Sequence, residues 1–287
     1  FLGPNGAGKT TTIRMLVGLL APTSGTASLL GEPVLPGSTD LRHVGALVER
    51  PAFYSYLSAV DNLRLFAAAH GAADRDARTL IGPALERTGL APVARRKVGG
   101  FSTGMRQRLG LALAILHQPR LVILDEPTNG LDPAGVVEVR AILGQLARDG
   151  TTIFLSSHVL TEVEQLCGRV AILRQGRVVA DGATADLLRG QGEIHLRFDS
   201  VAEAEEALRL FVQRDIEVRR AGPEPLPEVL VSLAPTEGSR VARLLGEAGL
   251  YPAELSPRRA TLEDVFLELT RDVPADEAPS VDSRPSR

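Results

Sequence analysis

The first ten residues constrain the fold most. Gly3-Pro4-Asn5-Gly6-Ala7-Gly8-Lys9-Thr10 fits G-x-x-x-x-G-K-[ST] at every position. Gly6 and Gly8 let the backbone curl so that successive N–H groups point at phosphate oxygens. A helix beginning near Lys9 turns its positive N-terminal end toward the same phosphates. Lys9, one of two lysines with Lys97, brings a point charge to β- and γ-phosphates, and Thr10 offers a hydroxyl to Mg²⁺. The competing reading is a glycine-rich turn that matches by accident. On the whole pattern, Gly3 through Thr10, with Thr11 beside them, are expected to hold the phosphates of a nucleotide. A loop of this kind sits at the end of a buried strand, so Phe1-Leu2 reads as the last part of that strand.

The rest of the chain supplies strands and helices in alternation. A helix is expected over 9–20, strands over 26–30 and 43–48, and a helix from Ser58, with Asp61 as capping-box partner, to about His70. A second helix is expected from Asp74 to Thr88, stopped by Gly89, and a third from Ser102. LVILDEP (121–127) is a continuous apolar run of the kind buried on both faces of a sheet. Asp132-Pro133 caps and starts a further helix, and TTIFLSS (151–157) is the next buried strand. RVAIL and RVVAD flank Gln175-Gly176 as a hairpin. This alternation predicts a parallel α/β core over residues 1–190, with an inserted helical subdomain over about 58–117.

After Gly190-Gln191-Gly192 the order becomes strand, helix through 201–213, strand, Pro-rich turn at 223–227, strand, helix through 236–248, strand. That β-α-β-β-α-β order predicts a small α+β ferredoxin-like domain over 193–270. Thr261-x-x-Asp264 caps a last helix through Leu269. Residues 271–287, rich in Pro, Ser, Asp and Arg, read as a disordered tail.

Composition narrows the function classes. With 287 residues and 44% hydrophobic content the chain can bury one large and one small core. A net charge of −3 gives no electrostatic footprint for nucleic acid. Cys167 stands alone, so no disulfide framework is expected, and it reads as a small buried residue in a reducing, cytoplasmic setting. No apolar run is long enough to span a membrane, and no signal-peptide pattern is present.

Further motifs carry chemistry. The strand 121–124 ends in Asp125 and Glu126; Asp125 is placed to hold Mg²⁺, and Glu126 to polarise the water that attacks a γ-phosphate. Acidic residues also cap strand ends, which is the bland alternative. In Phe101-Ser102-Thr103-Gly104-Met105, the Ser hydroxyl and Gly N–H groups at a helix start make an anion site, or else Ser102 is an ordinary N-cap. Asn129-Gly130-Leu131-Asp132 follows the carboxylates. His158 ends FLSSH, where a neutral imidazole can bond the γ-phosphate or the attacking water, or else it is an ordinary surface or capping residue.

In this order the motifs resemble the ATP-binding subunit of ABC transporters, over residues 1 to about 190. The resemblance implies a P-loop NTPase of the ABC ATPase type and a head-to-tail pair of such domains, formed with ATP by two copies or by a paralogue. Ser102 and Gly104 of one chain would contact the γ-phosphate held by the other, and Asn129 to Asp132 would line the interface, with Asp132 among the ATP contacts. Glu126 would be the catalytic base and His158 the switch residue. GALVERPAFYSYLSAVDNL (45–63) is similar to drug- and bacteriocin-resistance exporters of the bacitracin type, and TLEDVFLEL (261–269) to ATPases of ABC-2-type exporters. The implied partner is a separate ABC-2-type membrane permease, contacted through the surface near Glu49 to Tyr56 and the helical subdomain. The implied location is the cytoplasmic face of the cell membrane, and the cargo class is a drug or antimicrobial peptide.

Two departures stand out. The family signature Leu-Ser-Gly-Gly-Gln reads FSTGM here, and the family's Q-loop glutamine is Glu49, which carries over as a third candidate for Mg²⁺ beside Thr10 and Asp125. The family also places a strand pair and an adenine-stacking aromatic upstream of the phosphate loop. The chain is therefore expected to be a fragment lacking several tens of N-terminal residues. Two other classes are weighed. A soluble ABC ATPase acting on nucleic acid or ribosomes usually has two ATPase domains or a long coiled coil, and neither is visible. A regulatory module without hydrolysis is opposed by Asp125, Glu126 and His158.

Overall fold

The structure is a computed structural model that describes residues 1–35, 41–49, 52–69, 71, 74–188, 192–221 and 227–271, with no side chains described at 74–76, 259 and 268–271. The readings at His70, at Gln191, within the Pro-rich turn at 223–226 and over the tail at 272–287 lie outside the described residues. The chain divides into two compact units, Phe1–Leu166 with Val170–Asp181, and Cys167–Arg169 with Gly182 onward. The division falls ahead of the boundary expected near 190. Cys167 and Gly168 join the second unit, where their carbonyls accept from Thr184 Oγ1 at 2.5 Å and Thr184 N at 3.0 Å.

The first unit opens with Phe1-Leu2, the loop, and α1 (Lys9–Leu16). α1 is shorter than expected: Gly18 takes φ 72, and the amides of Leu19 and Leu20 fold back onto the Arg14 carbonyl. Next come β1 (Ala27–Leu29) and β2 (Glu32–Val34), an antiparallel hairpin turned at Leu30-Gly31. β2 was not expected, because its Pro33 removes a ladder donor and argues against a strand. β3 (Val44–Leu47) follows. α2 (Ala59–Ala69), α3 (Asp74–Arg87) and α4 (Thr103–Ala114) pack on one another as the helical subdomain. The Ser58–Asp61 box opens α2, with Asp61 N donating to Ser58 Oγ at 3.1 Å.

The core then resumes with β4 (Leu121–Asp125), α5 (Pro133–Arg148), β5 (Thr152–Ser156), α6 (Leu160–Leu166), and the hairpin of β6 (Arg169–Arg174) and β7 (Arg177–Ala183). β3, β4 and β5 lie parallel in that order. Leu2 makes parallel bridges to both Ser157 and Ile172, so the two-residue stub is wedged between the ends of β5 and β6. Its amide donates to Ala171 O at 2.8 Å, and its carbonyl accepts from Leu173 N at 2.6 Å. Because alternate residues of a strand face opposite sides, Leu121 and Ile123 pack with Ile13 of α1 on one face. Val122 and Leu124, on the other face, are fully buried.

The second unit holds α7 (Thr184–Leu187), β8 (Gly192–Arg197), α8 (Val201–Gln213), β9 (Val218–Arg220), β10 (Glu228–Val231), α9 (Gly238–Glu247), β11 (Glu254–Arg259) and α10 (Leu262–Arg271). The sheet order is β11-β8-β10-β9, every pair antiparallel. That is the interleaved order of a ferredoxin-like sheet, in which the first and second strands flank the third. Ile194, Leu196, Val229 and Val231 bury one face against Phe211 of α8 and Leu245 of α9.

A Cβ at Gly45 would overlap the carbonyl oxygen of Ala114 and sit 3.0 Å from Pro119 Cγ. Gly45→Ala should therefore destabilise by about 3 kcal/mol or more. Gly144→Ala, in an uncrowded helical position, should stabilise by about 0.5–1 kcal/mol; urea midpoints check both. At α10, Asp264 Oδ2 accepts from Thr261 N at 2.9 Å and Thr261 Oγ1 at 2.8 Å, while Asp264 N donates back to Thr261 Oγ1 at 3.2 Å. Partial burial pushes the Asp264 carboxyl up, but the Thr261 bonds and the charges of Arg258 and Arg219 outweigh this and hold it below the usual value. A lowered carboxyl contributes stability above its unfolded pKa and loses it as pH falls through the folded one. The melting difference between the parent and Asp264→Ala, about 1 kcal/mol at neutral pH, should therefore vanish under strong acid.

Candidate functional site

The loop grips by its backbone. Gly6 and Gly8 take φ of 81° and 102°, conformations that glycine adopts without strain. Ala7 N closes the turn on Pro4 O at 3.1 Å. Gly8 is the N-cap of α1, and no side chain caps the helix. The first amides of α1 thus stay open to an anion.

Lys9 is folded inward, its side chain only 6% exposed. Its Nζ donates to Gly3 O at 2.7 Å and lies 3.2 Å from Glu126 Oε1. The other oxygen of Glu126, Oε2, lies 2.7 Å from His158 Nδ1 and accepts from His158 N at 3.3 Å. One carboxylate thus bridges Lys9 at the end of the phosphate loop and His158, two residues beyond β5. Glu126 sits at φ 48, an uncommon conformation for a residue with a side chain.

Asp125 is held on both oxygens. Thr10 Oγ1 donates to Oδ2 at 2.7 Å, and Ser156 Oγ donates to Oδ1 at 2.5 Å. A cavity of about 400 Å³ opens between these elements, lined by loop residues including Asn5, Lys9, Thr10 and Thr11, and by Glu126, Asn129 and His158. Its size suits a small-molecule ligand. The donors fit Mg-ATP on this geometry: a buried ammonium and open helix amides await phosphate, and a hydroxyl beside a carboxylate suits a hard cation. Among the described residues no cluster of three or more His, Cys, Asp or Glu could form an all-protein metal cage. A cation here would share its ligands with phosphate and water.

Not every expected residue converges. Pro4, Gly6 and Gly8 line the cavity, while Gly3 and Ala7 contribute backbone carbonyls behind it, to Lys9 Nζ and to Gly176 N. Glu49 is not among the cavity residues; it takes φ 67 and its carboxylate pairs with Arg14 of α1. One oxygen of the Glu49 carboxylate, expected as a third metal ligand, is turned onto the Arg14 guanidinium. Ser102 caps α4, accepting from Met105 N at 3.2 Å, and Gly104 lies in the first turn of the helix; neither lines this chain's own cavity. Asp132 caps α5, its Oδ1 accepting from Gly135 N at 2.9 Å.

Residues 1–129 match the family profile described as ABC transporter. The bacitracin transport ATP-binding protein BcrA of Bacillus licheniformis is 40% identical over 275 residues, covering 94% of this chain and 87% of that protein. The daunorubicin resistance ATP-binding protein DrrA3 of Streptomyces coeruleorubidus is 37% identical, covering 94% of this chain and 86% of the relative. A solved ATP-binding subunit of an ABC transporter superposes with a TM-score of 0.57 at 34% identity, covering 66% of this chain and 79% of that one.

The chain belongs to the ABC transporter family. Within it, this is an ATP-binding subunit, with a P-loop core, a helical subdomain and a ferredoxin-like second unit.

Two residues that hold the ABC site together, Ser156 and Thr128, were not singled out in the sequence, and Asn129 was read there only as lining the pair interface. Ser156 lies directly across the β4–β5 ladder from Asp125. Asn129 lines the cavity. Thr128 Oγ1 donates to Glu162 Oε2 of α6 at 2.6 Å, tying the segment after Glu126 to the helix after His158. Only the parallel register of the two strands could have exposed Ser156 beforehand. Lys9→Ala should weaken nucleotide binding by roughly 10- to 100-fold, the worth of a hydrogen bond to a charged group, as checked by titration with a fluorescent ADP. It also leaves Glu126 without its cation.

Proposed function

We propose that the chain hydrolyses ATP with Mg²⁺ as cofactor, and that hydrolysis drives export through a separate membrane permease. The observation that carries this reading is Glu126, whose carboxylate stands at the cavity between Lys9 at 3.2 Å and His158 at 2.7 Å. Water attacking the γ-phosphorus must lose a proton, and Glu126 is the base within reach. The new bond joins water oxygen to phosphorus, and the bond to the ADP bridging oxygen breaks. His158 orients the Glu126 carboxylate and the water. Lys9 moves its charge from Glu126 to the phosphate oxygens. Thr10 and Asp125 would hold Mg²⁺, which when bound neutralises charge across the β- and γ-phosphates.

In a head-to-tail pair with a second copy or a paralogue, Ser102 and Gly104 would face the partner's γ-phosphate. Ser102 is exposed at the start of α4 and is not among the residues that line this chain's own cavity, which supports that assignment. Asn129 to Asp132 would lie along the pair's seam. ATP holds such a pair closed more strongly than ADP, so turnover shifts the population and moves the permease. The permease would anchor the subunit at the inner face of the membrane; among the described residues no helix is long and apolar enough to cross one. The names of the relatives support a drug or antimicrobial peptide as cargo.

Glu126→Gln keeps the shape of the side chain and removes the base. Steady-state ATPase activity should fall by about 10²- to 10⁴-fold, with ATP binding kept. Light scattering should then show the mass doubling on addition of Mg-ATP. Unchanged turnover in this variant would overturn the reading.

A further inference from the structure

We infer that Ser156 is a positioning residue that fixes the two reactive carboxylates through a single hydroxyl. This rests on the assignment of Asp125 and Glu126 above. Ser156 is fully buried at the end of β5. Its one hydroxyl hydrogen goes to Asp125 Oδ1 at 2.5 Å, and its lone pair accepts from Glu126 N at 3.0 Å.

The second bond matters because of where the sheet stops. The β4–β5 ladder ends at the pair Asp125↔Ser156, and Glu126 is the first residue beyond it. With no further strand residue opposite, the amide of Glu126 is met by a side chain instead. Glu126 also turns to φ 48 at this point, a conformation that persists only when its surroundings hold it. The Ser156 bond is one such constraint, and it aims the carboxylate at Lys9 and His158. The first bond does the same for Asp125, whose other oxygen is taken by Thr10 at 2.7 Å. Without the hydroxyl, Glu126 is free to relax toward negative φ and carry its carboxylate off the reaction line. Ser157 does not share the role: its Oγ accepts from Val159 N at 2.9 Å and serves the next turn.

The test compares Ser156→Ala and Ser156→Thr with the parent and with Glu126→Gln. It reads kcat, KM, ADP affinity by calorimetry with and without Mg²⁺, and melting temperature. A misplaced base costs turnover rather than binding. Ser156→Ala should therefore lose about 10- to 100-fold in kcat, keep ADP affinity within about threefold, and regain most of its turnover as Ser156→Thr, which restores the hydroxyl. If the alanine variant does not fold, Ser156→Cys, with similar volume and a weak donor, takes its place in the same comparison. Turnover within about twofold of the parent, equal losses in kcat and affinity, or no recovery with threonine would each overturn the role. Glu126→Gln separates the two ways to fail. If it turns over like the parent, the hydrolysis reading falls. If it is inactive while Ser156→Ala is fully active, only the role of Ser156 falls.

Discussion

A buried ammonium needs an anion, and the site is arranged around that need. Lys9 is 6% exposed and sits in the first turn of α1, where the helix dipole already presents positive charge. Two like charges in one place are stable only with a counter-charge at hand. Here Glu126 and the Gly3 carbonyl supply it. A phosphate would supply the same thing, more strongly, through the loop amides as well. The carboxylate that guards the lysine is therefore also the group set free when a phosphate takes its place. On the proposed mechanism, binding and the readiness of the base would become one event.

This arrangement depends on the sheet. Leu2, β4 and β5 run parallel, so their C-terminal ends lie together, where open α/β sheets bind ligands. The three chain segments that meet there are far apart in sequence. Thr10 reaches Asp125 across 115 positions, and Ser156 reaches Asp125 across 31. Hydrophobic runs fix each strand, and the parallel register turns three strand ends into one site. Wedged between β5 and β6, Leu2 is fully buried, and its placement sets where the loop begins.

Local pattern carried much of this into the sequence. The helix read over 201–213 is α8 (Val201–Gln213), because its capping box and apolar face are both short-range signals. LVILD is legible as β4 because a strand buried on both faces needs no alternation. The loop is legible because its chemistry demands residue types at fixed spacing. Other features are not local. α1 ends at Leu16 because of the backbone at Gly18, not because apolar residues run out. β2 was hidden by Pro33, which an edge strand tolerates. Ser156 and the Thr128–Glu162 bond depend on which residues a register sets opposite one another, and no short window contains that.

Glu49 is the residue whose family role and observed place diverge, and electrostatics accounts for it. An additional, unpaired carboxylate beside Asp125 and Glu126 would add repulsion against a triphosphate. Arg14 lies one helical turn beyond Thr10 on α1, and its guanidinium takes the Glu49 charge before it reaches the site. Both side chains are well exposed, at 44% and 60%, so the pair is screened and worth no more than about 1 kcal/mol. So small an energy balances charge without locking the loop. Mg²⁺ prefers to keep several waters and to borrow oxygens from phosphates. On the proposed mechanism the hydroxyl of Thr10 and the carboxylate of Asp125 would be the protein's share, with Glu49 held by Arg14.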